Sequence, residues 1–164
     1  AAMAWAALAT VMDPEVPVVS LVELGIAREA RLAEDGAVEV LLTPTYSGCP
    51  ATEVINASIQ QALVDDGLGP VEVATRRSPA WTTDWLSDAG RERLRAYGIA
   101  PPGRCGDNAE PATASPIRIL ARGVGCPRCG SAQTERLSAF GSTACKALYR
   151  CLACHEPFEH FKPI

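Results

Sequence analysis

Histidine is scarce in this sequence: its 164 residues include two, His155 and His160. Because none precedes residue 155, most of the chain cannot hold a Ser-His-Asp or Cys-His catalytic site. The sequence also lacks the Gly-rich loops that bind phosphates and the fingerprints of flavin or nicotinamide cofactors. These absences leave cysteine and carboxylate side chains as the candidates for chemistry.

The sequence also lacks a basic excess and a long apolar run. Lys and Arg number 15 and Asp and Glu 19, a formal net charge of −4, so neither nucleic acid nor anionic lipid is an expected partner. No apolar run approaches the ~20 residues that span a bilayer, and the apolar start has no basic region typical of signal peptides. Seven cysteines without a secretion signal fit a reducing compartment. We therefore expect a cytoplasmic protein that does not enter the membrane.

Four cysteines near the C-terminus form two C-x2-C pairs, Cys126 with Cys129 and Cys151 with Cys154. Each pair can direct two thiolates at one ion from a tight turn, and together they complete the tetrahedral sulfur shell that zinc or a single iron prefers. We therefore predict one structural zinc held by these four residues. Two alternatives stay open, reduced buried cysteine pairs and a disulfide framework. His155 directly follows the last cysteine and is a competing candidate ligand.

The composition changes near residue 100. Tyr97-Gly98 and the prolines that follow stop a helix, and the next stretch has no apolar period. We therefore predict a first domain over residues 1–98, a linker over 99–116 and a ribbon over 117–164. About 48 residues are too few to fold on an apolar core alone, so metal binding should supply most of the ribbon's stability.

The first domain mixes helix and strand patterns in the order αββαβα. This order predicts a small open sheet with helices packed on one face, so the chain is of the α+β class with a C-terminal β zinc ribbon. Pro50 is predicted as the first position of the second helix and Gly67 as its left-handed cap. The predicted strands cover residues 26–32, 38–42 and 71–74, and the helices cover 5–11, Pro50 to Gly67, and Thr83 or Asp84 to Tyr97.

A lone thiol lies where a loop enters this second helix, in Thr43-Pro44-Thr45-Tyr46-Ser47-Gly48-Cys49-Pro50. A helix N-terminus carries about +0.5 of an elementary charge, which favours a thiolate. The hydroxyls of Thr45 and Ser47 could hydrogen-bond that anion. Cys49 is therefore a candidate functional residue, and the alternative is an inert cysteine covered by the loop.

Two carboxylates form a second candidate cluster, in Asp13-Pro14-Glu15-Val16-Pro17. The two prolines hold Asp13 and Glu15 in a stiff, extended segment. The alternative is a solvated turn that merely caps the residues after it. Trp81 and Trp85 are interpreted as core and rim packing rather than as a ligand site.

Three separated motifs resemble those of the SufT-like family of iron–sulfur cluster assembly factors. They are Asp13 to Pro17, Val22-Glu23-Leu24-Gly25-Ile26, and Thr43 to Pro50 with its Gly-Cys-Pro. Joined to the four-cysteine ribbon and the stretch Phe140 to Cys151, this domain is similar to the PaaD family of the bacterial phenylacetyl-CoA epoxidase system. With Trp81-Thr82-Thr83-Asp84-Trp85, the likeness covers nearly the whole chain.

The resemblance implies an accessory role in a multicomponent di-iron monooxygenase of aerobic phenylacetate breakdown. It implies a subunit without catalysis of its own that helps to install a metal centre, such as an iron–sulfur cluster, in the reductase or oxygenase subunits. A carboxylate-bridged di-iron site would need Glu-x-x-His motifs, and this sequence has none. The expected partners are the other epoxidase subunits, especially the iron–sulfur reductase, and a homodimer is a further candidate assembly.

Cys49 and Asp13 match the family's cysteine before proline and its acidic position. The resemblance implies transient binding of iron or an iron–sulfur cluster by the Cys49 thiolate, with other ligands from a partner or a second copy. Two other function classes stay open. The chain could be a docking adaptor of the oxygenase complex, or a small transferase or redox enzyme with Cys49 as its catalytic thiol.

The remaining cysteines and His160 are predicted to lie outside these sites. If residues 145–151 form a strand, Cys145 is ~20 Å from Cys151 and cannot share its metal, although it could be a reactive thiol at a strand edge. Cys105 falls in the predicted linker as a bystander. His160 is predicted at the surface.

Overall fold

The computed structural model describes residues 1–46, 48–104 and 124–163. The chain divides into two compact units, Ala1–Arg93 and Leu94–Pro163. Cys105, Ser47 and most of the predicted linker lie outside the described residues. Within the described residues, no helix is both long and apolar enough to span a bilayer.

The first unit is built on a three-stranded sheet in the order β1-β2-β3, with β1 at Ala27–Leu32, β2 at Val38–Leu42 and β3 at Val71–Thr75. β1 and β2 pair antiparallel, whereas β2 and β3 pair in parallel. A parallel pair needs a crossover connection, which contains α2 (Thr52–Asp65). The three predicted strands are confirmed to within one residue at each end.

Two helices cover one face of this sheet. α1 (Ala2–Thr10) contacts α2 and β1, and α2 contacts β3. Burial alternates along β2, and the buried stripe of α2 recurs every fourth residue, as the two periodicities require. The predicted open sheet with helices packed on one face is therefore confirmed. The buried side chains are Val38, Val40 and Leu42 from β2, Ile55, Ile59 and Leu63 from α2, and Ala4, Ala7 and Leu8 from α1.

The second helix begins two residues later than predicted. Pro50 is not its first residue, because the carbonyl oxygen of Cys49 accepts hydrogen bonds from the hydroxyl and the N–H of Thr52 (2.8 and 3.4 Å). That turn precedes α2, which starts at Thr52. The predicted left-handed residue at the other end is confirmed, since Gly67 has a φ of +73°.

The predicted last helix of the first domain is interrupted. A 3-10 turn covers Thr83–Trp85, and α3 runs over Asp88–Tyr97. Ser87 lies between them: its N–H donates to the carbonyl oxygen of Glu23, and its hydroxyl accepts from the N–H of Gly90 (2.9 and 3.0 Å). Ser87 therefore acts as the cap of α3, and the helix starts four or five residues later than Thr83 or Asp84 suggested.

The segment from Ser20 to Gly25 is a closed turn. Ser20 and Glu23 form a reciprocal capping box, in which the N–H of Ser20 donates to the carboxylate of Glu23 and the N–H of Glu23 donates to the hydroxyl of Ser20 (2.9 and 3.1 Å). Gly25 closes the turn with a φ of +71°.

The two tryptophans pack as predicted. Trp81 is 2% exposed, and its indole N–H donates to the carbonyl oxygen of Leu24 (2.9 Å). Trp85 is partly exposed and carries the guanidinium of Arg28 over its ring, 3.6 Å from the centroid. Trp81 is thus a core residue and Trp85 a rim residue.

Gly25→Ala should destabilise the first unit strongly. A Cβ atom at Gly25 would lie 2.6 Å from the carbonyl oxygen and 2.7 Å from the Cβ of Trp85, and the left-handed backbone disfavours any side chain. We expect a loss of about 3 kcal/mol in the free energy of unfolding, measured by urea titration. Gly36→Ala is the matched control: its φ is +88°, but a Cβ there meets nothing within 4 Å, so it should cost about 1 kcal/mol. Equal losses in the two variants would contradict the packing argument.

The second unit contains a four-stranded sheet in the order β4-β7-β6-β5. β5, β6 and β7 pair antiparallel, and β4 joins β7 in parallel. Ile99 and Ala100 form β4, so the linker predicted to begin at residue 99 is wrong for these two residues. Both are buried and apolar, which favours the sheet over a solvated linker. The strands are β4 Ile99–Ala100, β5 Thr134–Ser138, β6 Lys146–Cys151 and β7 Pro157–Phe161.

The ribbon has a small apolar cluster that includes two of its metal-ligand candidates. The rings of Tyr149 and Phe158 stack with centroids 5.8 Å apart. Because two cysteines belong to this cluster, the core of the ribbon and its candidate metal site are one structure. The buried members are Ala100, Cys126, Cys151 and Phe158, with Val124 and Tyr149 packed against them.

His160 lies inside the ribbon, which corrects the prediction of a surface residue. It is 8% exposed and meets the ring of Tyr149 edge-on, with centroids 5.5 Å apart. β7 is flanked by β4 and β6, so His160 has sheet neighbours on both sides. Burial lowers the pKa of His160 to about 4, so the side chain is neutral at pH 7.

Candidate functional site

Two C-x2-C turns bring four sulfur atoms together in the ribbon. The Sγ atoms of Cys126, Cys129, Cys151 and Cys154 all lie within 4.8 Å of one another. The Cys126–Cys154 and Cys129–Cys151 sulfur separations are 3.8 and 3.5 Å. A tetrahedral zinc with Zn–S bonds of ~2.3 Å requires sulfur separations of about 3.8 Å. The four residues therefore fit a single tetrahedral metal ion.

The same distances bear on the disulfide alternative. A disulfide would require sulfurs ~2.05 Å apart, and all four of these cysteines are free. Cys126 and Cys151 are buried, whereas Cys129 and Cys154 are exposed. The arrangement is therefore one half-open cluster of four thiols, not a pair of cross-links.

The two turns share a backbone pattern. The residue after each second cysteine is left-handed, Gly130 with a φ of +75° and His155 with a φ of +64°. In the second turn the N–H of Cys154 donates to the sulfur of Cys151 (3.5 Å), and this hydrogen bond lowers the pKa of Cys151 to about 6. The turn thereby favours the thiolate, which is the form that binds metal.

Two other candidates lie outside the cluster. Among the residues that the structure describes, the four-sulfur group contains neither His155 nor Cys145. Cys145 is buried at 5% exposure, and its sulfur lies 3.1 Å from the hydroxyl of Thr143. It precedes β6 at the opposite end from Cys151, in agreement with its predicted exclusion from the metal shell. Its burial argues against a reactive thiol at a strand edge.

Cys49 lies in the first unit, in the turn that leads into α2. The turn is closed by the hydroxyl of Thr52, which donates to the carbonyl oxygen of Cys49 (2.8 Å). Ala51, not Cys49, occupies the cap position of the helix. The thiol is half-buried, so it is reachable without being fully solvated.

The acidic segment and Cys49, far apart in sequence, are electrostatic neighbours in the fold. Burial raises the pKa of the Cys49 thiol, the N–H of Ala51 lowers it, and the negative charges of Glu15 and Asp13 raise it. The net shift is upward. The expectation that the helix N-terminus would favour a thiolate is therefore wrong here, because burial and two carboxylates outweigh the N–H groups.

Asp13 also organises the segment around it. Its side chain is buried at 8% exposure, and its Oδ1 accepts hydrogen bonds from the N–H groups of Glu15 and Val16 (2.9 and 2.8 Å). Val16 and Val19 anchor the segment in the core at 1% and 0% exposure. The turn is thus a fixed structure rather than a solvated one, and it holds its charge near Cys49.

This arrangement suits a cation better than a nucleophilic reaction. A thiol whose pKa is raised is mostly protonated at pH 7, which disfavours attack on an electrophile. The charges of Asp13 and Glu15 that disfavour the thiolate attract a metal cation, and a cation offsets them when the proton leaves. The sequence had named all three residues, but no local signal could place the carboxylates beside the thiol.

Comparison with known proteins identifies the class of each unit. A family described as "Iron-sulfur cluster assembly protein" matches residues 1–74, and one described as "PaaD zinc beta ribbon domain" matches residues 113–162. A crystal structure of a domain of unknown function, DUF59, from Bacillus anthracis has a TM-score of 0.51 and 26% identity, covering 56% of this chain and 87% of that one. The chain is thus an assembly-type α+β domain joined to a zinc β-ribbon.

The particular family follows from a match over nearly the whole chain. The chain is 48% identical over 160 residues to PaaD, the putative 1,2-phenylacetyl-CoA epoxidase component of Escherichia coli (strain K12), covering 98% of this chain and 91% of that protein. It belongs to the PaaD family of phenylacetyl-CoA epoxidase subunits. It is also 35% identical over 82 residues to the Fe-S protein maturation auxiliary factor YitW of Bacillus subtilis, covering 49% of this chain and 79% of that protein. The resemblance stated from the motifs is confirmed.

Proposed function

We propose that this protein is an accessory component of the phenylacetyl-CoA epoxidase system that delivers iron or an iron–sulfur cluster to another subunit. The observation that carries the proposal is the placement of the Cys49 thiol within electrostatic reach of Asp13 and Glu15. This site lies in the unit that matches cluster assembly proteins. The relatives' names support an accessory role in phenylacetate breakdown and a link to iron–sulfur assembly.

Delivery requires a site that binds its cargo transiently. Cys49 would supply one sulfur ligand, and the charges of Asp13 and Glu15 would offset the positive charge of the incoming metal. Binding would release the thiol proton, so affinity should rise with pH. A single cysteine cannot satisfy iron by itself, and the remaining ligands would come from the client or from a second copy of this chain. Incomplete coordination allows the cargo to leave.

The ribbon cysteines would hold a resident structural ion. Cys126, Cys129, Cys151 and Cys154 fit zinc by donor type and by spacing. Four thiolates leave no open position for a substrate, so the ion would supply folding energy rather than chemistry. In this proposal the ribbon is a rigid module, and the first unit carries the transfer site.

Two alternatives have different consequences. A catalytic thiol is disfavoured, because burial and the nearby carboxylates raise the pKa of Cys49. A docking adaptor would hold the oxygenase subunits together without handling metal. It would copurify with them, yet its loss would leave their metal content unchanged.

Co-expression separates delivery from docking. The iron–sulfur reductase and the oxygenase subunits are expressed with and without this protein, and their iron and sulfide contents are measured after purification. Delivery predicts an under-loaded client when the protein is absent and full loading when it is present. Equal loading in both cultures, together with a stable complex that contains this protein, would favour the docking adaptor.

A further inference from the structure

A cavity of about 280 Å³ opens beside the loop that carries Cys49. It lies where the chain leaves two neighbouring parallel strands, since Thr43 follows β2 and Arg77 lies just beyond β3. The N–H of Arg76 donates to the carbonyl oxygen of Leu42 (2.7 Å), which joins the two strand ends. Ligands of open sheets with parallel strands bind at the carboxyl ends of those strands. The cavity therefore lies where this fold would bind a small ligand.

The walls of this cavity are mostly flat and apolar. They include Pro44, Tyr46, Ala80 and Trp81. Trp81 is fixed in place, because its ring is buried and its indole N–H is bonded to the carbonyl oxygen of Leu24 (2.9 Å). A preformed cleft that contains two aromatic side chains suits a planar apolar group.

One cation lines the same cavity. Arg77 makes no hydrogen bond or ion pair within the described part of the chain, whereas its neighbour Arg76 pairs with Glu29 (3.3 Å). No carboxylate is among the described residues that line the cavity. A guanidinium binds a carboxylate through two parallel hydrogen bonds. Charge and shape together favour a ligand that is anionic at one end and apolar at the other.

The size of the cavity limits the ligand further. Sites for drug-sized molecules measure roughly 300–1,000 Å³, so this cavity admits an acid with one ring and excludes a nucleotide. We propose that it binds a small organic carboxylate with a flat apolar body, the carboxylate on Arg77 and the ring against Tyr46 and Trp81. Cys49 does not line this cavity, so the site is additional to the proposed metal delivery.

The test uses the full-length, metal-loaded protein with benzoate as the probe. Benzoate should shift the NMR resonance of the Trp81 indole N–H in a saturable way, with a dissociation constant on the order of 1 mM. Benzamide has the same shape without the charge and should bind at least about fivefold more weakly. Acetate keeps the charge without the ring and should also bind more weakly than benzoate.

Three variants locate the ligand. Arg77→Gln should weaken benzoate binding at least about fivefold and abolish the preference over benzamide. Arg76→Gln removes the neighbouring charge, which already has a partner on the sheet face, and should leave binding unchanged. Ala80→Leu should fill the cavity and abolish the binding of both probes. A dispersed spectrum shows that each variant is folded.

Three outcomes would overturn the proposal. They are no saturable shift of the Trp81 resonance in the folded protein, a benzoate preference that survives Arg77→Gln, and binding that survives Ala80→Leu. None of them would bear on metal delivery, because the test leaves Cys49, Asp13 and Glu15 intact. A failure of metal delivery would likewise leave this site standing.

Discussion

Removal of the metal should unfold the ribbon and leave the unit Ala1–Arg93 folded. Cys126 and Cys151 are members of the ribbon's small buried cluster, so the ion and the core stabilise the same structure. Structural zinc contributes about 10–16 kcal/mol in small zinc domains, which exceeds what so small a core supplies. Amide hydrogen exchange before and after chelation is the measurement. Protection should vanish across β5, β6 and β7 and persist in β2 and α2.

The boundary between the units gives this prediction a sharper form. Ile99 and Ala100 pair with Glu159 and His160 of β7, so their amides should lose protection together with the ribbon. The double variant Cys126→Ser, Cys154→Ser should lose bound metal, judged by elemental analysis. Cys145→Ser, the control, changes a buried cysteine of the same unit that lies outside the cluster, and it should retain one zinc per chain. Full metal content in the double variant, or loss of protection throughout both units, would contradict the account.

Cys49→Ser should leave the fold and the zinc content unchanged but lower phenylacetyl-CoA epoxidation in cells. Serine keeps the size and polarity of the side chain and is a far weaker ligand for soft metals. The defect should appear as an under-loaded metal centre in another subunit, and growth on phenylacetate should slow. Cys145→Ser should behave as the wild type. Normal growth with fully loaded partners in the Cys49→Ser strain would remove Cys49 from the mechanism.

The two carboxylates make a prediction of opposite signs. Glu15 and Asp13 raise the pKa of the Cys49 thiol, so Glu15→Gln and Asp13→Asn should lower that pKa. At pH 7 the thiolate fraction then rises, and iodoacetamide should alkylate Cys49 faster, as measured by peptide mass spectrometry. Delivery of iron should nevertheless become weaker, because the site loses negative charge. A catalytic thiol would instead gain activity in these variants, so the signs distinguish the two mechanisms.

The ribbon site was predictable because its signal is local. Two cysteines three positions apart fix the turn, and the second pair completes the tetrahedron, so spacing alone named Cys126, Cys129, Cys151 and Cys154. His160 shows what the same sequence withheld. It alternates with Phe158 along β7, which is the period of a buried strand face, but a histidine at such a position does not by itself indicate burial. Its environment depends on β4, which the sequence had placed in a linker.

The transfer site was only half predictable. Cys49, Asp13 and Glu15 could each be named from their motifs, but the distance between the motifs hides their proximity, which depends on how the first unit folds. The upward shift in the pKa of Cys49 follows from that proximity and from burial. The start of α2 at Thr52 was missed for a similar reason, because the Thr52 hydroxyl bond to Cys49 is a feature of the folded turn.

The most direct measurement of the central claim is transfer between purified proteins. This protein is loaded anaerobically with iron and sulfide and mixed with cluster-free reductase, and recovery of reductase activity is followed with a chelator present to capture any free iron. We expect recovery with the wild type, faster at pH 8 than at pH 6, and none above background with Cys49→Ser. Equal recovery with the two proteins, or recovery that the chelator abolishes, would show that Cys49 does not deliver the cargo.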